Sequence, residues 1–330
     1  MRRGAAMTTN DLGREPTRDG VLRAAAKVAE LLPPTPLLPV AIGGATVWAK
    51  AESLQPIGAF KIRGAWHRLT DLTENERARG VVGVSSGNHA QGVAWAARRL
   101  GIAATIVMPS NAPAVKLERT RELGAEIVLY DRATEDRDAI AQALVAERGA
   151  TLVHAYADPW VIEGQGSSGI EIAAQMKRLA GGTPARIVTP CGGGGLTAGL
   201  ALACPDAEII PVEPEGWDDV CRSLETGSIQ RVAPDAPATA CDALQTPATW
   251  PINFAVLRER CHHWLRVSEA EVAAAQRFAF TRLRLVLEPG GAAALAAVLA
   301  GKAPVDGRTA IVLSGGNVDA AAFTQVLSAN

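Results

Sequence analysis

Residues 186–204 begin Arg186-Ile187-Val188-Thr189-Pro190-Cys191-Gly192-Gly193-Gly194-Gly195-Leu196-Thr197-Ala198-Gly199-Leu200. A short apolar run of strand character meets four glycines, and an apolar run of helical length follows, Leu196 to Cys204. Four glycines in a row leave every backbone N–H approachable, and the start of a helix favours an anion. No Lys-Ser or Lys-Thr pair follows, and the dinucleotide spacing G-x-G-x-x-G is not met. The expectation is a cradle for a single phosphate rather than for a dinucleotide; a plain tight turn is the bland alternative.

The same strand–turn–helix rhythm recurs along the chain. Strands are expected at Leu37–Val40, Thr46–Ala51, Gly80–Val84, Ala103–Met108, Glu126–Leu129, Leu152–His154, Glu208–Val212 and Ala310–Leu313. Helices are expected at Val21–Leu32, from Lys61 onward, and at Asn88–Leu100, Pro113–Leu123, Thr134–Arg148, Val161–Met176, Ser268–Leu283 and Ala292–Leu299. Gly101 and Gly124 stand where helices need a left-handed cap, and Ser268 with Glu271 forms a capping box. Alternating strands and helices over short loops predict an α/β protein of parallel sheets covered on both faces. Residues up to Thr17 are expected to fray, and 227–250 to form a long loop.

The chain has 330 residues, 48% hydrophobic and 20% charged, with net charge −1. That length suggests about two domains. The charge balance gives no footprint for nucleic acid. No stretch is long and apolar enough to span a membrane, and no apolar segment follows Arg2 and Arg3. The five cysteines are odd in number and form no C-x-x-C pair, which suits a reducing, cytoplasmic setting.

Lys61 sits in Pro56-Ile57-Gly58-Ala59-Phe60-Lys61-Ile62-Arg63-Gly64-Ala65, where Pro56 and Gly58 break the chain and a helix begins. The positive end of a helix disfavours an ammonium, and burial beside Phe60 lowers its pKa further. Such a lysine serves as a neutral amine for a Schiff base, or snorkels from the surface. Ser85-Ser86-Gly87-Asn88-His89 closes a strand and opens a helix, the crevice where open α/β sheets bind ligands. Its hydroxyls and N–H groups suit a carboxylate, and Asn88 can donate to a phenolate-type oxygen; a Ser cap with incidental neighbours explains it as well. Ser314-Gly315-Gly316-Asn317 places another hydroxyl at a strand end. Glu288 precedes a helix, free to meet a ligand or to cap. Glu213-Pro214-Glu215-Gly216-Trp217-Asp218-Asp219 can chelate a hard cation or form a solvated loop. An amine, a phosphate cradle, an amide for a ring oxygen and a hydroxyl at a strand end together match one cofactor, pyridoxal 5'-phosphate.

These stretches resemble the fold type II pyridoxal phosphate enzymes (tryptophan synthase β-like), and within them the threonine/serine dehydratase and serine racemase family. The motifs carrying the resemblance are Gly58 to Ala65, Ser85 to His89, Gly164-Gln165-Gly166, Gly192 to Gly195, Glu213-Pro214, Glu288-Pro289 and Ser314 to Asp319, in family order. The resemblance implies two open parallel-sheet α/β domains. One is a large cofactor-binding domain from residues 1–77 and 157–330; the other is a small, mobile, substrate-closing domain from 78–156. No regulatory C-terminal domain is expected, and a homodimer is. It implies that Lys61 holds the cofactor aldehyde and takes the Cα proton, Phe60 packs on the ring and Asn88 bonds the ring oxygen. Gly192, Gly193, Gly194, Gly195 and Leu196 hold the phosphate, Glu288 stands beside the cofactor, and Ser314 meets the ring nitrogen. Ser85, Ser86, Gly87, Asn88 and His89 receive the substrate carboxylate. In the racemase subgroup the residue matching Ser86 is the second acid/base. There too a divalent cation (Mg, Ca or Mn) is held by residues matching Glu213, Asp219 and the Trp217 carbonyl.

The activity so implied is β-elimination from a β-hydroxy amino acid to a 2-oxo acid and ammonia. A neutral hydroxyl at the ring nitrogen moderates the electron sink and favours expulsion of the β-hydroxyl. An amino-acid racemase with dehydratase side activity is the alternative, and a non-catalytic ligand-binding homologue a further one. The family pattern Ala-Asp-Gly is here Cys241-Asp242-Ala243. The added methyl widens the expected substrates beyond serine and threonine, to hydroxyaspartate or phenylserine.

Overall fold

The computed structural model describes residues 13–85, 87–112 and 114–328. In chain order the helices are α1 (Arg18–Ala29), α2 (Lys61–Thr70), α3 (Glu74–Arg79), α4 (Asn88–Leu100), α5 (Ala114–Glu122), α6 (Arg137–Arg148), α7 (Pro159–Leu179), α8 (Gly195–Ala203), α9 (Asp219–Thr226), α10 (Pro251–Arg260), α11 (Glu269–Phe278), α12 (Pro289–Leu299) and α13 (Ala320–Ser328). The strands are β1 (Leu37–Ile42), β2 (Ala45–Ala51), β3 (Val81–Val84), β4 (Ala104–Pro109), β5 (Glu126–Tyr130), β6 (Thr151–Val153), β7 (Arg186–Pro190), β8 (Glu208–Pro214), β9 (Leu265–Val267) and β10 (Thr309–Leu313).

Among the described residues the strands form two sheets. One is six-stranded, in the order β1-β2-β10-β7-β8-β9, and the other four-stranded, in the order β5-β4-β3-β6. The smaller sheet is wholly parallel, with Val82 beside both Thr105 and Leu152. The larger is parallel except at one edge, where β1 pairs antiparallel with β2. The all-parallel expectation is corrected there, because Gly43 and Gly44, both at positive φ, let the chain fold straight back into a hairpin.

Period-two alternation places the cores. Val188, Ile210 and Ile311 point to one face of the larger sheet, with Leu287, Ala292 and Leu295. Their chain neighbours Ile187, Ile209, Ala310 and Val312 point to the other, with Met176 and Leu200. A strand buried on both faces is mostly apolar, as these are, with Thr189, Glu213 and Thr309 the buried polar residues near their ends. The Gly164-Gln165-Gly166 motif lies inside α7, within the helix expected at Val161–Met176. A Cβ on Gly164 would stand 2.5 Å from the Gly64 Cα of α2, and one on Gly166 2.5 Å from the Gly199 carbonyl of α8. The glycines let α7 touch backbone on two sides, and Gln165 Oε1 accepts from the Gly64 N–H at 3.1 Å.

Other boundaries move for local reasons. Thr17 does not fray; it caps α1, accepting from the Gly20 N–H, while its own N–H donates to buried Glu163 at 2.9 Å. α6 begins at Arg137 rather than Thr134, since Asp136 accepts from the N–H groups of Asp138 and Ala139. The Ser268 capping box is present, but α11 passes at Ala279–Leu283 into a π turn that ends on Arg284 at φ 61°. Helices α3, α9, α10 and α13 and strand β9 have no counterpart in the expectations. The Thr73–Glu76 capping box could have disclosed α3.

Candidate active site

A cavity of about 860 Å³ lies where β3, β6, β7 and β10 end, lined by residues that follow each of them. This is the carboxyl-end crevice of an α/β sheet, supplied here by both sheets.

Lys61 is the first residue of α2. Phe60 precedes it with no side-chain cap, and the Lys61 ammonium stands 5.2 Å from the Phe60 ring centre. Lys61 Nζ donates to the Ala155 carbonyl, beyond β6, at 2.7 Å. Burial pulls its pKa down to about 8, against the attraction of the Glu288 carboxylate. The lysine is therefore not a snorkelling surface group.

The Gly192–Gly195 run crosses the cavity floor to the start of α8. A Cβ on Gly193 would stand 2.3 Å from the Tyr156 ring, and one on Gly192 3.1 Å from the Leu244 Cα. Gly194, at φ 89°, occupies the cap position with no side-chain bond, and α8 follows with Leu196 as its second residue. Thr197 Oγ1 is buried in the same turn without a partner. Bare N–H groups at a helix start beside an unsatisfied hydroxyl fit a phosphate.

Asn88, the first residue of α4, donates through Nδ2 to Glu288 Oε1 at 2.6 Å, while its Oδ1 accepts from Asn317 Nδ2 at 2.8 Å. The amide orientation is thereby set, and its second N–H hydrogen remains for another acceptor. Glu288 occupies the cap position of α12 but makes no capping bond; burial and nearby Asp242 push its pKa up to about 7. Ser314 follows β10 and lines the cavity, its carbonyl accepting from the Phe60 N–H at 3.1 Å. Ser85 Oγ accepts from the Gly87 N–H at 3.1 Å. Ser86 lies outside the described residues. The His89 side chain is committed to the Val153 carbonyl at 2.9 Å, and burial brings its pKa down to about 3.

Glu213 is buried and accepts from the Val220 and Cys221 N–H groups at 3.2 and 2.6 Å. Asp219 is buried with neither carboxylate oxygen partnered. Burial pushes both pKa values upward, helped at Glu213 by the Asp219 charge and at Asp219 by the Asp218 charge. Trp217 Nε1 donates to the Pro237 carbonyl at 2.7 Å. Among the described residues no three His, Cys, Asp or Glu side chains gather as metal ligands. The five cysteines are buried and free.

Sequence reading missed the residues around the lysine. His154 and Tyr156 follow β6, Lys116 pairs with Asp242 across the cavity, and Arg137 opens α6 against it. Their only sequence signal is position, just past a strand end or at a helix start. Ala243 lines the cavity in a short 3-10 turn, its Cβ 3.4 Å from where one would stand on Gly290. Its φ is not positive, so alanine fits there without strain.

The family model described as pyridoxal-phosphate dependent enzyme matches residues 28–315. The chain belongs to the pyridoxal-phosphate dependent enzymes. An L-threo-3-hydroxyaspartate ammonia-lyase of Pseudomonas sp is 44% identical over 289 residues, 86% of this enzyme and 88% of that protein. A serine racemase of Schizosaccharomyces pombe is 36% identical over 322 residues, 95% of this enzyme and 98% of that one. A solved structure of maize serine racemase superposes with TM-score 0.88 at 33% identity, covering 94% of this enzyme and 97% of that chain. A crystal structure of a threonine deaminase superposes with TM-score 0.84 at 42% identity, covering 92% of this enzyme and 99% of that chain. The expected fold type II architecture, the threonine/serine dehydratase and serine racemase family and the pyridoxal phosphate cofactor are borne out. Among the described residues no helix is long and apolar enough to cross a membrane.

Proposed function

We propose that the enzyme eliminates the β-hydroxyl of a β-hydroxy amino acid and releases a 2-oxo acid and ammonia, with 3-hydroxyaspartate the foremost substrate. The observation that carries the reading is the buried Lys61 amine, poised near neutrality and aimed into one cavity with the glycine cradle. The substrate choice is supported by relatives named L-threo-3-hydroxyaspartate ammonia-lyase, at 44% and 38% identity, and beta-hydroxyaspartate dehydratase, at 36%.

Pyridoxal phosphate supplies an electron sink for the pair left at Cα. The residues present fit that group. The N–H groups from Gly192 to Leu196 would hold its phosphate, the free N–H hydrogen of Asn88 its ring oxygen and Ser314 its ring nitrogen, with Phe60 and Glu288 beside it. Lys61 accepts the Cα proton, which its lowered pKa permits near neutral pH. Ser85 and the N–H groups that open α4 receive the substrate carboxylate. The unit 78–156 closes over it, held by Lys116 on Asp242 and by Arg119 on Asn317 at 3.2 Å.

The test is a screen for 2-oxo acid and ammonia across L-threo-3-hydroxyaspartate, L-serine, L-threonine and phenylserine. Release from hydroxyaspartate above the others is expected. D-serine formed from L-serine in large excess over pyruvate would favour the racemase instead.

A divalent cation at Glu213, Asp219 and the Trp217 carbonyl belongs to the same proposal. Its support is the buried Asp219 carboxylate, neither of whose oxygens has a hydrogen-bond partner, a costly state for a buried charge. Chelation is expected to lower the melting temperature and added Mg²⁺ or Ca²⁺ to restore it; no change after complete metal removal would refute the site.

A further inference from the structure

Among the groups facing the cavity, His154 is one for which the reading above has no use. Its Nδ1 accepts two backbone N–H groups, from Tyr156 at 3.3 Å and Ala157 at 2.8 Å. A nitrogen that accepts carries no proton, so in the neutral ring the proton sits on Nε2. The ring is held edge-on between Tyr156, 4.6 Å away, and Trp250, 5.2 Å away. Burial, with the charges of Arg137 and Lys61, brings its pKa down to about 3, so it stays neutral at working pH. The tautomer, the orientation and the charge state of this side chain are all fixed.

Its place has chemical meaning. The next residue, Ala155, holds the Lys61 amine through its carbonyl. The residue after that, Tyr156, packs on Gly193 and Gly195 of the phosphate cradle. His154 therefore stands on the turn that joins the proton-accepting amine to the anion cradle. Elimination must expel the β-substituent near that amine, because the bond to Cα–H and the bond to the leaving group break on adjacent carbons.

Resting on the elimination reading, we propose that His154 Nε2–H is the hydrogen-bond donor to the β-oxygen of the substrate, selecting an oxygen leaving group and steadying it as the Cβ–O bond breaks. The electron pair of that bond stays on oxygen. The proton that Lys61 takes from Cα is the one passed to the departing hydroxyl to make water, so the step balances without His154 giving up its own. His154 supplies a hydrogen bond and not a proton.

The test compares L-serine with β-chloro-L-alanine, which differ only in the leaving atom; chloride departs without a donor. His154→Asn keeps an oxygen at the Nδ1 position for the two backbone N–H groups and removes the Nε2 donor. His154→Gln returns an N–H near the Nε2 position. Cofactor absorbance is expected to be unchanged in both variants and the melting temperature in His154→Asn, whereas His154→Gln, which leaves the Tyr156 and Ala157 N–H groups without their acceptor, should melt somewhat lower. His154→Asn should lower kcat/KM for L-serine about 10- to 100-fold while moving β-chloro-L-alanine less than about 3-fold, and His154→Gln should recover most of the loss. Equal losses on the two substrates, or no recovery by glutamine, would overturn the proposal. No 2-oxo acid from L-threo-3-hydroxyaspartate, L-serine or β-chloro-L-alanine with the unsubstituted holoenzyme would overturn the elimination reading itself, and His154 with it.

Discussion

Asn88 and Glu288, two hundred residues apart, meet at 2.6 Å, with the amide nitrogen donating to the carboxylate. One belongs to the helix that leaves the smaller sheet and the other opens a helix packed on the larger, so this bond ties the two sheets together inside the cavity. Asn317 completes the link by donating to Asn88 Oδ1 at 2.8 Å and to the Ile57 carbonyl at 2.7 Å.

The Glu288 carboxyl titrates near 7 in the folded chain, against an ordinary value of 4.5. The folded state therefore holds a proton that the unfolded chain gives up above 4.5. Stability from this site falls as pH rises from about 4.5 to 7 and is lost above that window. Glu288→Gln keeps an acceptor for Asn88 and should flatten this decline in urea unfolding of the cofactor-free enzyme. A shift of that size is on the order of 3 kcal/mol. An unchanged pH slope would refute the assignment.

Lys61 has the opposite sign. Its folded pKa of about 8 lies below the ordinary 10.5, so the cofactor-free enzyme gains stability as pH climbs through that interval. Lys61→Ala should lose this climb, keep the fold and abolish ammonia release. Borohydride should fix cofactor to the Lys61 peptide of the unsubstituted enzyme alone; trapping elsewhere would displace the lysine from its role.

Arg63 is buried between two acids. Nε and one Nη donate to Glu52 at 2.8 and 2.7 Å, and both Nη groups donate to Glu171 at 2.6 and 2.8 Å. Paired with the Arg63 guanidinium, the Glu52 carboxyl is held down to about 2. Arg63→Met leaves Glu52 buried and uncompensated except by Lys50, and should cost about 3–5 kcal/mol. Chemical denaturation measures it, and a loss under about 1 kcal/mol would show the network to be slack.

Gly164 has no room for a methyl, since an added Cβ would stand 2.5 Å from Gly64 Cα and 2.7 Å from the Arg63 carbonyl. Gly164→Ala should push α7 from α2 and destabilise by about 1–3 kcal/mol or more. Gly227→Ala meets nothing within 4 Å and is strained only by its φ of 72°, so it should cost less, about 1 kcal/mol. Equal melting temperatures for the two variants would contradict the packing.

Lys116 and Asp242 form a partly exposed pair across the cavity. Such pairs add under about 1 kcal/mol to stability. Asp242→Asn should leave the melting temperature nearly fixed and raise KM through looser closure. A large stability loss with KM unchanged would make the pair structural.

Local grammar makes much of this molecule legible in the amino-acid order. A strand followed by glycines followed by a helix has few ways to fold, so Gly192–Gly195, Asn88, Ser314 and Lys61 can be set at strand ends and helix starts from their neighbours alone. Helix caps at Gly101 and Ser268 are readable because they depend on one or two adjacent side chains. What only the tertiary structure decided are relations across long separations. Examples are the grip of Ala155 on Lys61, the Asn88–Glu288 bond, the mid-helix contacts of Gly164 and Gly166, and the facing of His154 into the cavity. A strand end looks the same in sequence whether its next residue faces a cofactor or solvent. That distinction is made by which distant backbone packs against it, and no pattern of neighbours along the chain encodes such a contact.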